Sequence, residues 1–265
     1  MNAMRAVIGK DLRAIRRSNA VLLPMIIVPA LLLVLLPLAV GIAARATHHP
    51  DVHPLLDRLP HSLGSPIARL PEREQLVVLV DGYLVAPLFL IVPLMVASVL
   101  AADAFAGEKE RKTLESLLHL PISDERLFYA KVIGAFGPAV GVAWIGFVLF
   151  AIVANTLAWP LTHRIFVPTR GWGVLILWIA PGVAALGMSV MVRVSARART
   201  AQEANQLGGS VILPLIFVAV AQSAGLLLIP VGAAFAVGTV VWALAIWLLL
   251  GGARRFTRDR VAVGL

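Results

Sequence analysis

Few side chains in this 265-residue sequence could carry out chemistry, and their placement narrows what that chemistry could be. His48, His49, Asp51 and His53 lie within six positions of one another. Imidazole and carboxylate together can bind zinc, nickel or copper. Pro50 and Pro54 interrupt any regular helix or strand spacing there, so a solvated polar loop is the plainer reading. Gly187-Met188-Ser189 and Gly208-Gly209-Ser210 look faintly like serine-hydrolase turns, but no His or Lys lies at a matching depth to act as base. The chain has no cysteine, which removes thiol nucleophiles, disulfides and zinc–thiolate sites. It also has no GxxxxGK[ST] loop, so it cannot cradle ATP phosphates in that way. The sequence is therefore expected to encode no enzyme by itself and to bind no cofactor.

Two polar residues remain inside otherwise apolar runs. Asp81 is placed at the outer end of an apolar segment and Asn155 near the outer end of another. Each suits the water interface as well as a transport path or gate. The spans otherwise lack the chain of buried acids and bases expected of a proton-driven carrier.

The elements that hold these residues follow from composition. The sequence is 60% hydrophobic and only 14% charged, with a mean hydropathy of +0.91. A soluble globule carries about a quarter charged residues. A membrane core of about 30 Å needs roughly 20 apolar residues as helix. Residues 21–44, 76–102, 131–157 and 172–194 are expected to supply four spans. From Ala204 to Ala253 there is no charge at all, and a single helix of that length would be more than twice too long. It must fold back, with its turn between Gln222 and Pro230. That gives a fifth span with a re-entrant turn at 207–228 and a sixth at 230–252. The expected fold is an all-α polytopic membrane protein with six transmembrane helices, in one domain.

Six spans put both termini on one side. Seventeen basic residues lie at residues 1–20, 103–131, 193–206 and 253–265, against six on the other face at 45–75 and 164–170. The positive-inside rule makes the richer side cytosolic. Spread over four places, these charges do not form a nucleic-acid stripe. Met4, Val7, Ile8, Leu12 and Ile15 share one face of the leader, which reads as an amphipathic helix on the inner leaflet. Prolines recur in the spans, among them Pro37, Pro87, Pro138 and Pro181, and each should bend its helix. Gly137 and Gly141 are spaced for a close helix contact.

The most informative stretch is the loop at 103–130. Thr113 is a good N-cap, Glu115 sits in the first turn of the short helix it would start, and Pro121 ends that helix after about two turns. Leu114, Leu117 and Leu118 form an apolar edge beside dense charge. Ser123 caps the next helix, with Asp124 and Glu125 in its first turn. The short helix could dock a soluble partner or rest on lipid, and the spacing alone leaves both open.

Gly107-Glu-Lys-Glu-Arg-Lys-Thr-Leu-Glu-Ser-Leu-Leu118, with Pro121-Ile-Ser123 and Lys131 after it, resembles the cytosolic loop of ABC-2 type permeases. So do Ser195–Gln206, Pro214 and the sixfold layout with its basic leader. Lys112 departs from the family pattern, which has Gly there. The resemblance implies the membrane subunit of an ATP-binding-cassette exporter with the type V fold, in a bacterial or archaeal cytoplasmic membrane. ATP and magnesium would be bound by two separate ATPase subunits, and a second permease copy or paralogue would complete the route. Gly107, Glu108, Lys109, Glu110, Thr113, Leu114, Glu115, Leu117, Leu118, Pro121 and Ser123 match the family's coupling loop. Gln222 to Pro230 would form an outer gate, and the cargo would be hydrophobic or amphipathic. A non-transporting membrane scaffold on the same fold is the alternative.

Overall fold

Long uncharged runs in lipid must satisfy their backbone internally, and helix is the way a single open chain can do so. The computed structural model describes residues 2–46, 52, 56, 67–111, 123–168, 170–198, 200–209 and 231–253, and among these there is helix and no strand. In chain order the helices are α1 (Asn2–Arg17), α2 (Asn19–Ala46), α3 (72–110), α4 (Asp124–Thr162), α5 (170–195), α6 (201–209) and α7 (Val231–Ala253). Five stretches are long and apolar enough to cross a membrane: Asn19–Ala46, Ile91–Glu110, Asp124–Thr162, Gly171–Ser195 and Val231–Gly252. They overlap the first four expected spans and the sixth, with the second stretch, Ile91–Glu110, starting and ending later than the expected 76–102. The fifth expected span, with Gln222 and Pro230, lies from residue 210 onward outside the described residues, as do His48, His49, Asp51 and His53.

The most apolar stretches of α3 and α5 are 72% buried, against 22% for α2, 28% for α4 and 17% for α7. α3 and α5 therefore form the centre, and the other three turn broad apolar faces outward. Ile26, Ile145 and Trp247 are among the large side chains on those outer faces. The central core contains an aromatic cluster in which Phe89 of α3 and Phe147 and Phe150 of α4 each pack on Trp172 of α5, and Phe147 also meets both Phe89 and Phe150. Ring centroids there are 5.3–6.3 Å apart.

The close helix contacts differ from the expected pair. A Cβ at Gly137 or Gly141 would meet nothing within 4 Å among the described residues, so that pair makes no close contact with them. Close approach occurs instead at Gly41, where a Cβ would lie 2.7 Å from Leu157, and at Gly187, where it would lie 2.6 Å from Leu94. Spacing showed which residues were small enough for contact, but not which helix faces met.

The leader is a helix, and its apolar edge is seated on protein. Val7 packs with Leu127 and Ala130 of α4, flanked by Met4 and Ile8, and Ile15 joins the main core. Of the expected stripe, Leu12 alone stays exposed. Ser123 caps α4 as its sequence suggests, accepting the N–H of Arg126 at 3.4 Å, with Asp124 and Glu125 in the first turn.

Candidate coupling site at the basic end of the spans

α3 continues past its apolar stretch as a widened π-turn, Asp103–Gly107, and then one last turn, Glu108–Glu110. A π-turn inserts an extra residue and re-aims the side chains beyond it. Gly107 at its end leaves room for the Asp103 carboxylate, which would lie 2.8 Å from a Cβ there and would have to shift. The consequence is that four consecutive charged residues point to four different places.

Glu108 turns inward and is 3% exposed. Its two carboxylate oxygens accept from Lys131 of α4 and from Lys10 of α1. Lys131 is completely buried, donates also to the Ala104 carbonyl at 2.7 Å, and lies 5.6 Å from the Phe105 ring centroid. Lys10 reaches Asp11 as well, at 3.6 Å. One oxygen of Asp11 has no partner, and burial pushes its carboxyl above the ordinary value.

Lys109 donates to the carbonyls of Ser195 and Ala196, at 3.2 and 3.0 Å, where α5 ends. A cation at a helix C-terminus meets the negative end of the helix dipole. Glu110 does the opposite job at the start of α6, accepting the Ala201 N–H at 3.0 Å. Thr200 caps the same helix by accepting the Glu203 N–H at 3.0 Å. Arg111 folds back to Asp103 at 2.9 Å. The segment from Glu108 to Arg111 thus fastens α1, α4, α5 and α6 to the end of α3.

Of the residues expected in the coupling loop, Gly107, Glu108, Lys109 and Glu110 are brought together here, and Ser123 stands at the head of α4. Thr113, Leu114, Glu115, Leu117, Leu118 and Pro121 lie outside the described residues. Sequence reasoning left out Lys10 and Asp11 as site residues, and it counted Lys131 as a basic residue at the end of the family-like loop without giving it a site role. The signal that could have found Lys131 is its position, a lone cation at the head of a long uncharged run.

At the other end of the spans, Asp81 and Asn155 have opposite surroundings. Asn155 uses its whole amide. It donates to the Ala151 and Val167 carbonyls at 2.8 and 2.6 Å and accepts from the Phe166 and Val167 N–H groups at 3.0 and 3.3 Å. It pins the connection between α4 and α5. Asp81 sits in a second π-turn of α3, Val80–Leu84, completely buried, and neither of its oxygens has a hydrogen-bond partner.

A family model described as ABC-2 family transporter protein matches residues 5–235. The chain belongs to the ABC-2 transporter family. The match runs from the leader through the charged turn of α3 to the start of α7, so the clasp formed by Glu108–Arg111 on its four neighbouring helices lies inside the family's region. No curated protein matches the chain. With its apolar helices, membership makes this permease a multi-pass membrane protein and a membrane component of transport.

Proposed function

We propose that this chain is the permease subunit of an ABC exporter, in a bacterial or archaeal cytoplasmic membrane, with the basic end of its spans in the cytosol. It has six spans and works as a pair, with itself or a paralogue. Two separate ATPase subunits bind ATP and magnesium and drive it. Hydrophobic or amphipathic cargo suits its apolar helices.

The observation that carries this reading is the clasp. Three neighbouring residues, Glu108, Lys109 and Glu110, hold different elements, so a push on the adjoining loop reaches α1, α4, α5 and α6 together. A partner can shift a conformational balance only through contacts that differ between the two states. The leucine edge of Leu114, Leu117 and Leu118, with Thr113, Glu115, Pro121 and Ser123 framing it, is the docking element this reading needs. Asp81 is the polar group available on the route, with Gln222 to Pro230 as the outer gate.

Replacing Leu117 and Leu118 together by Asp tests it. Co-purification with a co-expressed ABC ATPase and ATP turnover by the complex should both be lost. Unchanged values for both would remove the basis of the reading. A scaffold on the same fold would retain the ATPase but show no cargo flux in vesicles.

A further inference from the structure

Three of the four π-turns in the molecule's described residues come two or three residues before a proline. Leu31–Leu35 precedes Pro37, Val80–Leu84 precedes Pro87, and Leu175–Ile179 precedes Pro181. In each case the carbonyl four residues before the proline lies inside the turn. A proline ring in a plain α-helix clashes with that carbonyl. Widening the turn relieves the clash but has a consequence for hydrogen bonding. The Val85 N–H bonds Val80 and the Ala180 N–H bonds Leu175, five residues back instead of four. In that register Ile176, one carbonyl on from Leu175, would look for a donor at position 181, and Gly82, two on from Val80, would look for one at position 87, and both positions are proline. The widened register thus leaves one more carbonyl without a backbone donor than plain helix would, in surroundings with no water to serve it.

Tryptophans of neighbouring helices supply those donors. The Trp172 indole of α5 donates to the Gly82 carbonyl at 3.1 Å. The Trp144 indole of α4 donates to Ile176 at 3.1 Å, and the Trp242 indole of α7 donates to Trp178 at 3.0 Å, within the same turn of α5. The turn at Leu31–Leu35, with Leu31 and Leu35 exposed, receives no indole among the described residues. The caps occur where helices pack on one another.

We propose that these indoles are locks holding the two inner proline π-turns in their widened register, and that releasing the Trp172 lock turns Asp81 out of its buried site. The balance between registers is set by two things, the proline clash against plain helix and the indole bond in favour of the wide turn. Loss of either favours plain helix. Removing the extra residue from the turn then rotates the preceding chain by about 100° relative to the rest of α3. Asp81 lies one residue from the capped carbonyl, so it moves with the turn.

The chain's lack of cysteine gives a clean test. Asp81→Cys places one thiol at the site, and its reaction with a water-soluble maleimide is followed on purified chain in lipid nanodiscs. Adding Trp172→Phe, which keeps a ring on Phe150 but removes the N–H, should raise the labelling rate about tenfold, as expected for loss of one hydrogen bond to a buried group. Pro87→Ala, which removes the clash, should raise it as well. Phe150→Leu loosens the same aromatic cluster without touching the indole N–H and should leave the rate within about twofold. An unchanged rate in both Trp172→Phe and Pro87→Ala, or an equal rise in Phe150→Leu, would overturn the lock. The measurement needs neither ATPase nor cargo, so its failure would leave the permease reading standing.

Discussion

Glu108 and Asp81 are buried carboxylates on the same helical rod, 27 residues apart, which is about 40 Å at 1.5 Å per residue. Each is positioned by a π-turn. Glu108 has a lysine on each oxygen, drawn from two other helices. Asp81 has no partner on either. A buried charge is tolerated when it is paired and hydrogen-bonded, and an unpaired polar group costs stability. The difference separates two uses of a carboxylate in one fold. At the basic end it fastens elements together. Near the opposite end it is held at a cost to stability, which suits a group kept for something that changes.

The largest expected effect is at the clasp. Glu108→Ala leaves Lys131 buried without its counter-charge and should cost about 3–5 kcal/mol, read as a fall in the melting midpoint of the purified chain. Glu108→Leu combined with Lys131→Met should recover most of that loss, since Lys10 is 42% exposed and can turn to water. Without recovery, the pair would not be the unit it is described as. Asp81→Ala should act with the opposite sign, raising stability by about 1–3 kcal/mol by removing two unserved oxygens. A loss there instead would erase the contrast between the two carboxylates. Lys109→Ala and Glu110→Ala act at helix ends and should each cost about 0.3–1 kcal/mol. They should lower ATP turnover of the assembled complex more than these small stability losses suggest.

The smallest effect concerns pH. Burial raises the Asp11 carboxyl above its ordinary 3.8. A carboxyl raised in the folded state binds its proton more tightly there than in the unfolded chain. Its stabilising contribution is complete below the ordinary value and declines as pH rises through the folded one. Asp11→Asn should flatten that decline in a melting series from about pH 4 to neutrality.

Much of the architecture could be read from the sequence, because length and apolarity in a membrane leave few choices. The leader helix, the spans at the start of the chain and the Ser123 cap follow from local pattern. The clasp was half legible. The charged run at Gly107–Arg111 stood out, but alternating charges read equally well as a solvated loop. That Glu108 turns inward depends on a π-turn no spacing rule announces. Asp81 read equally well as an interface or a route residue because its sequence neighbours place it at a span end, while its burial comes from other helices. Tryptophan caps were not visible for the same reason. Pro87 and Pro181 mark where donors are missing, but Trp172, Trp144 and Trp242 lie far along the chain. Gly137 and Gly141 show the converse, a familiar spacing that finds no partner among the described residues.

The central claim is that this permease is driven from outside itself, through the clasp at the end of α3. ATP turnover in nanodiscs, measured on the purified chain alone, with a co-expressed ABC ATPase, and with that ATPase and the Lys109→Ala, Glu110→Ala double variant, tests it most directly. The account predicts no hydrolysis by the chain alone, turnover in the complex, and a marked fall in the double variant at nearly unchanged melting temperature. Hydrolysis by the chain alone, or a double variant as active as the parent complex, would contradict it.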